Sequence, residues 1–287
     1  MTRKFQAEQD NRPAKIAGVI LCLNEAENLR RALTSLSWCD ERIVIDSGST
    51  DESRTIAEEL GAKVYVHRQQ GPFLITDQRN WAITNTGIKS EWILFLDADE
   101  EIGAQCQSAI QSAINSKKAP IAFNMTPRYW FLGRWLKHTQ NYPNWHPRLL
   151  QKGKIEFQGG VWETFSRDAN IGNIGSPYEH YAFSKGMDDW LVRHQRYASW
   201  EAKSLYEYQE SERVEALRTN RALQKRVIMA RLWQFRPLLR FLEKYFFNMG
   251  FLEGWQGMLY SLMMAFYELM IVVKLIEIRR RQRGEQL

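Results

Sequence analysis

Asp97 and Asp99 stand one residue apart in the run Trp-Ile-Leu-Phe-Leu-Asp-Ala-Asp-Glu at residues 92–100. An apolar stretch of strand length stops at two carboxylates, and that spacing lets both reach one hard divalent ion. Mg²⁺ is typically held by one or two protein carboxylates together with phosphate oxygens of a substrate, so the pair suggests a metal–diphosphate site. The competing reading is a pair of solvated loop acids, or an N-cap for the next helix. Two further polar clusters follow short apolar runs in the same way. Asn24 and Glu25 follow residues 16–23, and Asp46 opens Asp-Ser-Gly-Ser-Thr-Asp after residues 43–45.

The elements that must position these groups are legible in the hydrophobic pattern. Inside a buried parallel sheet nearly every strand residue is apolar. Polar residues therefore mark where a strand leaves the core, and open α/β sheets bind ligands at that carboxyl end. Strand-like runs at 16–23, 43–45, 63–67 and 92–96 alternate with helical patterns. Leu29, Ala32, Leu33 and Leu36 share one face of the first helix. The second, around 53–60, has Thr50 or Asp51 as its N-cap and is stopped by Gly61. A third helix is expected around 77–86. Such alternation implies an α/β fold with a mostly parallel sheet and right-handed crossovers. Asn24, Glu25, Asp46 and Asp97 then gather along one rim. A rim of acceptors suits the donors of a base and ribose hydroxyls, and it repels phosphates unless a metal intervenes.

Taken in order, Val19-Ile20-Leu21-Cys22-Leu23-Asn24-Glu25, Asp46-Ser47-Gly48-Ser49-Thr50-Asp51, Gln78-Arg79-Asn80 and Asp97-Ala98-Asp99-Glu100 resemble the successive motifs of family 2 glycosyltransferases with the GT-A fold. The resemblance covers roughly residues 15–185. Trp145-His146-Pro147-Arg148-Leu149-Leu150 through Val161-Trp162-Glu163 looks like the branch containing the lipopolysaccharide-core β-1,4-glucosyltransferases. The resemblance implies inverting transfer from a nucleotide-sugar, UDP-linked, with Mn²⁺ or Mg²⁺ as cofactor. Leu23, Asn24 and Glu25 would bind the nucleotide, Asp46 the uracil or ribose, and Arg79 would face the diphosphate. Asp99 would ligate the metal, Asp97 would hold ribose or metal, and His180 would complete the metal site. Glu163 would be the catalytic base. Glu100, Trp145, His146 and Arg148 are candidates for acceptor or diphosphate contacts, the last three because they lie in or beside a Pro-flanked loop.

Plainer roles compete at each position. Asn24 suits a turn, Asp46 a helix cap, Arg79 an ion pair with Asp77, and His180 an ordinary half-buried site. Glu100 suits a helix N-terminus. Glu156, Asp168 and Glu179 rival Glu163 as base. The residue types fit the chemistry: one carboxylate accepts the acceptor hydroxyl proton, and a metal with a cation neutralises the departing diphosphate. No second catalytic carboxylate is required, unlike the retaining hydrolases.

The chain has 287 residues, 44% of them hydrophobic and 13% aromatic, ample for a core. Cys22, Cys39 and Cys106 are odd in number and widely spaced, matching neither a disulfide framework nor a zinc spacing. Residues 1–15 are polar and lack the apolar segment of a signal peptide, so a cytoplasmic location is expected. A net charge of +6 raises nucleic acid as a partner. The acidic rim and the absence of any helix-turn-helix, zinc-finger or RNP pattern argue against it. Trp130, Trp135, Tyr142, Trp145 and Trp162 could stack on sugars, or could equally serve as core packing or a lid.

Past residue 186 the character changes. Residues 188–209 and 212–247 read as long helices, and 213–244 hold nine Lys or Arg against Glu215 and Glu243. Gly250 and Gly254 suggest a break. Residues 255–273 are nearly all apolar, with Glu268 the only formal charge, at a length close to a membrane span. On a helical wheel Glu253, Gly257, Tyr260, Ser261, Tyr267 and Glu268 form one narrow stripe, with Lys274 at its margin. An in-plane, monotopic position is favoured over a soluble interface or a true span, since Glu268 is costly at a bilayer centre. Arg279, Arg280, Arg281 and Arg283 would meet anionic headgroups.

The expected organisation is a flexible N-terminus (1–14), a GT-A domain (15–185, with a nucleotide-sugar half at 15–101 and an acceptor half at 102–185), and a helical membrane-associating or oligomerisation region (186–287). The expected partners are a UDP-sugar, a glycolipid or polysaccharide acceptor such as a lipopolysaccharide core, and the anionic inner face of the cell membrane. A homo-oligomer is the other use of the apolar helix. Two different functions compete: a silent scaffold that keeps the fold, and a sugar-phosphate nucleotidyltransferase. The latter needs a Gly-rich loop after the first strand, which Asn24-Glu25-Ala26-Glu27 lacks.

Overall fold

Ile16–Cys22 (β1), Glu41–Asp46 (β2), Lys63–Val66 (β3) and Trp92–Asp97 (β4) are the strands of the nucleotide half. They pair in parallel in the order β3-β2-β1-β4, with Val19 opposite both Ile43 and Phe95. Their crossovers contain the helices Ala26–Ser35 (α1), Ser53–Glu59 (α2) and Ile75–Asn85 (α3). The computed structural model describes residues 13–70, 73–159, 163–166, 170–210 and 233–287. Trp162, Asp168 and most of the helix expected over 212–247 lie outside the described residues.

Alternation along each strand builds two apolar layers. Ile16, Ile20 and Cys22 of β1 pack with Leu29 and Leu33 of α1, Ala57 of α2 and Ile110 of the helix Ala104–Ile114 (α4). Ala17 and Val19 face the other side, with Ala82 and Ile83 of α3. Leu29, Ala32, Leu33 and Leu36 are all fully buried, as their spacing predicts. Each buried leucine contributes roughly 1.5–3 kcal/mol. Gly18 makes this close approach feasible, because a Cβ there would lie 2.9 Å from Leu36 Cδ1 and 3.2 Å from Cys39 Sγ. The Asp51 carboxylate accepts from the backbone N–H of Ser53 at 3.0 Å and of Ala26 at 3.0 Å. One side chain thus satisfies the first N–H of two helices, which would otherwise lack partners.

Antiparallel strands extend the sheet beyond β4. They are Glu100–Glu101 (β5), Ala122–Phe131 (β6), Arg134–Trp135 (β7), His146–Gln151 (β8) and Ile171–His180 (β11), and Phe157–Gln158 (β9) pairs separately with Thr164–Phe165 (β10). The full order is β3-β2-β1-β4-β8-β6-β11-β5, with β7 beside β6. This is the expected α/β architecture with its apolar C-terminal helix.

The chain forms two compact units. One is the chain up to Pro127 with Pro143–His180, and the other is Arg128–Tyr142 with Tyr181–Leu287. The second unit holds Gly186–Glu210 (α5), Arg236–Leu242 (α6), a π-helical turn Glu243–Phe247, a 3₁₀ turn Gly250–Glu253 and Gly254–Gln282 (α7). The described part of the helix expected over 212–247 is one helical run that passes from a 3₁₀ turn, Trp233–Phe235, through α6 into the π-helical turn. Within this unit Ala198, Ala202 and Leu205 of α5 pack on Ile271 and Leu275 of α7. Phe131, Leu136, Trp190 and Met263 form a second cluster.

Candidate active site

Ile93 and Phe95 pack on the α3 side of the sheet, so Asp97, next in that alternation, leaves β4 facing α3. Arg79 of α3 meets it there, fully buried, with Nη2 3.1 Å from Asp97 Oδ1. The other end of the same guanidinium donates to Glu163 Oε2 at 2.5 Å. Its carbon lies 5.6 Å from the Phe95 ring centroid and 5.2 Å from that of Phe157. The three residues of Gln78-Arg79-Asn80 each hold a different segment. Gln78, also fully buried, donates to Ser47 Oγ and the His67 carbonyl. Asn80 donates to the Phe157 carbonyl at 2.9 Å and accepts from the Phe157 N–H at 3.0 Å.

Because β8 runs antiparallel to β4, its N-terminal end lies beside the C-terminal end of β4. Arg148 is thereby set against the acids. Its Nη2 lies 2.9 Å from Asp97 Oδ2 and 2.7 Å from Glu100 Oε1, and its Nη1 lies 3.7 Å from Glu163 Oε1. Pairing of β11 with β5 puts His180 opposite Glu100. His180 Nε2 is 3.5 Å from Asp99 Oδ2, and Nδ1 is 3.6 Å from Glu100 Oε1. Asp97, Asp99, Glu100 and Glu163 therefore converge on Arg79, Arg148 and His180.

The electrostatics follow from burial and pairing. Burial alone would raise the Asp97 pKa, but Arg148 and Arg79 outweigh it and hold the carboxyl well below the usual range. Glu100 goes the other way: burial, with help from Asp97, outweighs Arg148 and pushes it up to about 7. One of its oxygens accepts the Asp97 N–H at 2.8 Å. Burial lowers His180, yet the facing Asp99 more than offsets this and the net direction is upward. Burial and the neighbouring Arg148 push His146 down to about 3, so its half-buried ring is neutral near pH 7.

Asn24, Glu25 and Asp46 occupy a second position along the rim. Asn24 adopts φ 56°, a left-handed conformation that asparagine tolerates. Its N–H donates to Ser49 Oγ, and its Oδ1 accepts from the Thr50 N–H, both at 2.8 Å. The Glu25 N–H donates to Ser53 Oγ at 2.9 Å. Asp46, almost wholly buried, accepts from the Ser49 N–H at 2.9 Å and from Arg54 Nε at 2.6 Å. Leu23 and Trp145 are exposed.

Sequence reasoning passed over Tyr178, whose hydroxyl accepts from Arg148 Nε at 3.3 Å and whose ring centroid lies 5.5 Å from that guanidinium. Its position two residues before His180, on the same face of one strand, was the available clue. It also did not foresee that Arg79 is spent on two carboxylates.

The donor set can be weighed against a divalent cation. Among the described residues no group of three or more His, Cys, Asp or Glu side chains is arranged to hold an ion. Asp99 and His180 nonetheless present a hard oxygen and an imidazole nitrogen 3.5 Å apart. The surrounding carboxylates outnumber the guanidiniums four to two. A two-residue protein set with excess negative charge fits Mn²⁺ or Mg²⁺, whose remaining ligands come from phosphate and water.

The family model described as Glycosyl transferase family 2 matches residues 19–171. An uncharacterised glycosyltransferase of Rickettsia bellii is 43% identical over 34% of this chain and 32% of its own length. The chain thus spans about a third of that relative. Another from Rickettsia typhi is 26% identical over 94% of this chain and 89% of its own. The lipopolysaccharide core biosynthesis glycosyltransferase LpsC of Rhizobium meliloti is 22% identical over 87% of this chain and 90% of its own. Among solved structures, glucosyl-3-phosphoglycerate synthase of Mycobacterium tuberculosis with Mg²⁺ and UDP superposes with a TM-score of 0.34, at 20% identity over 40% of this chain and 44% of that one.

Proposed function

The chain belongs to glycosyl transferase family 2, and we propose that it moves a hexose, with inversion, from a UDP-sugar to a lipopolysaccharide-core, glycolipid or surface-polysaccharide acceptor. The observation that carries this reading is the cluster at the end of β4, where Asp97, Asp99, Glu100 and Glu163 meet Arg79, Arg148 and His180. Residues 23–25 and the loop held by Asp46 take the nucleotide. Asp99 and His180 hold a divalent cation, which when bound supplies charge neutralisation to the diphosphate.

Glu163 is the base in this reading. Its carboxylate takes the acceptor hydroxyl proton as that oxygen attacks the anomeric carbon, and the donor bond breaks with its electron pair leaving on the diphosphate. Arg79 and Arg148 keep Glu163 and Asp97 in fixed relation, so that base and donor are oriented together. Arg79 is a positioning residue here, because it is wholly buried against both carboxylates. Trp145, His146 and Arg148 stand on the acceptor side of this arrangement. The acceptor class matches the lipopolysaccharide-core role for which the Rhizobium relative is named, and the basic apolar C-terminal helix suits work at the inner face of a membrane.

Calorimetric titration of UDP and a panel of UDP- and GDP-sugars, with Mn²⁺ and then with EDTA, tests the donor half. Binding of the UDP family alone, lost in EDTA and in Asp99→Asn, is expected. Binding that survives EDTA overturns the metal assignment, and no binding under any condition favours a silent scaffold.

A further inference from the structure

The helix α7 is apolar on both its buried and its exposed sides. It buries Met263, Ile271, Val272 and Leu275 together with Gly257, Ser261 and Glu268, preceded by buried Glu253, while Trp255, Leu259, Leu262, Phe266, Leu269 and Val273 are exposed. The exposed residues recur at steps of 4, 3, 4, 3 and 4, which traces one continuous stripe along the helix. The preceding turns expose further apolar side chains. Phe246, Phe247, Phe251 and Leu252 are exposed, Phe247 at 81%. Met249 at φ 56° turns the chain between the π-helical and 3₁₀ pieces that carry them. An apolar surface of this extent is a binding surface rather than scattered exposure.

The polar wall of α7 is already used. Glu268 Oε2 accepts from Arg236 Nε at 2.7 Å, and Oε1 accepts from Arg240 Nε at 2.8 Å and Nη2 at 2.6 Å. Glu253 accepts from the His138 N–H at 2.5 Å and from Thr139 Oγ1 at 2.7 Å. These contacts fix which face of the helix is left over. They also exclude a simple span. The helix is long enough, roughly 40 Å at 1.5 Å per residue, but its inner wall is α5. That helix exposes Asp188, Arg196, Lys203 and Glu207, which cannot enter hydrocarbon with it.

From these observations the geometry points to a monotopic foot: α7 and the turns before it lie in the plane of an anionic bilayer, with the exposed stripe in the acyl boundary. Charge selects lipid over a second copy of the chain. A helical seam in water is flanked by charged residues, whereas residues 254–273 contain no Asp, Glu, Lys or Arg except the buried Glu268. The stripe ends at Arg279, Arg280 and Arg281, and apolar insertion plus a basic cluster is the pair of signals that holds a protein stably on an anionic surface. This inference deepens the membrane location proposed above. Its test uses neither donor nor acceptor, so its failure and that of the transfer reading are separate.

The experiment is flotation of the full chain with vesicles of phosphatidylethanolamine and phosphatidylglycerol, and with phosphatidylcholine alone. The chain should float with the anionic vesicles. The combined variant Phe247→Ser, Leu262→Ser, Phe266→Ser should lose at least about tenfold in partitioning while its far-ultraviolet circular dichroism and thermal transition stay unchanged. Replacing Arg279, Arg280 and Arg281 by Gln should cost about fivefold per charge removed, on anionic vesicles only. Spin labels at Trp255→Cys, Leu262→Cys and Val273→Cys, read against the unsubstituted chain, should report one common depth. A graded depth means a span and overturns the proposal. So does failure to float with anionic vesicles, including the case where light scattering shows a dimer that the serine variant dissolves.

Discussion

Each of the two units buries a carboxylate between two arginines, yet the clusters differ in what they leave over. In the helical unit both oxygens of Glu268 are taken by Arg236 and Arg240, and the remaining acids, Glu201 and Glu243, sit half-exposed to exposed. That carboxylate is saturated. At the end of β4, four carboxylates share two guanidiniums and a histidine, with separations from 2.5 to 3.7 Å. There the acids are in excess, and one of them, Glu100, is pushed up to about 7 by its burial. A saturated cluster ties helices together, and one with carboxylates to spare is the kind found at functional sites.

The widest expected break in that comparison is Glu163→Gln. It should keep donor binding in calorimetry and lower transfer by about 10²–10⁴-fold; turnover near the wild-type rate would place the base elsewhere. Next comes Glu268→Ala, which strands Arg236 in a buried site. Chemical denaturation should show a loss of about 3–5 kcal/mol, with UDP affinity of the remaining folded protein unchanged. An equal loss of UDP affinity would mean that the two clusters are not independent.

Asp46→Asn should cost about 1 kcal/mol near neutral pH. Burial raises the Asp46 pKa, but the Ser49 hydrogen bonds and the Arg54 guanidinium more than offset this and hold it below the ordinary 3.8. A depressed carboxylate stabilises the fold above its unfolded pKa, and that contribution disappears as pH falls through the folded value. The gap in Tm between wild type and Asp46→Asn should therefore be full above about pH 5 and close below 3.8. A gap that persists in acid would show that the effect is steric. No loss of stability is expected where the comparison is sharpest. Replacing Arg236, Arg240 and Glu268 together by apolar residues of similar volume should be neutral, or stabilising by up to about 4 kcal/mol. The same exchange at Arg79, Asp97 and Glu163 should leave no transfer at all.

Much of the fold was legible because local rules and tertiary demands agree in residues 16–97. Apolar runs ended at polar residues where strands leave the core, and the spacing of Leu29, Ala32, Leu33 and Leu36 marked the buried face of α1. The antiparallel half was less legible. β7, β9 and β10 are two-residue strands, too short to carry a period. Nothing in the composition of Arg128–Tyr142 announces that it packs with the C-terminal helices.

By itself the sequence determined the types of group at the site and the parallel core that gathers them, because the alternation of apolar strands and helices has one compact solution. It also determined that residues 255–273 carry a polar stripe on an apolar helix. Tertiary structure alone decided the pairings. Arg79 and Glu163 are 84 residues apart and Arg148 and Asp97 are 51 apart, so their contact depends on strand order and not on any local spacing. The same holds for the sidedness of α7. The arginines that close on Glu268, with the His138 and Thr139 donors on Glu253, turn the polar stripe inward and leave the apolar one facing out.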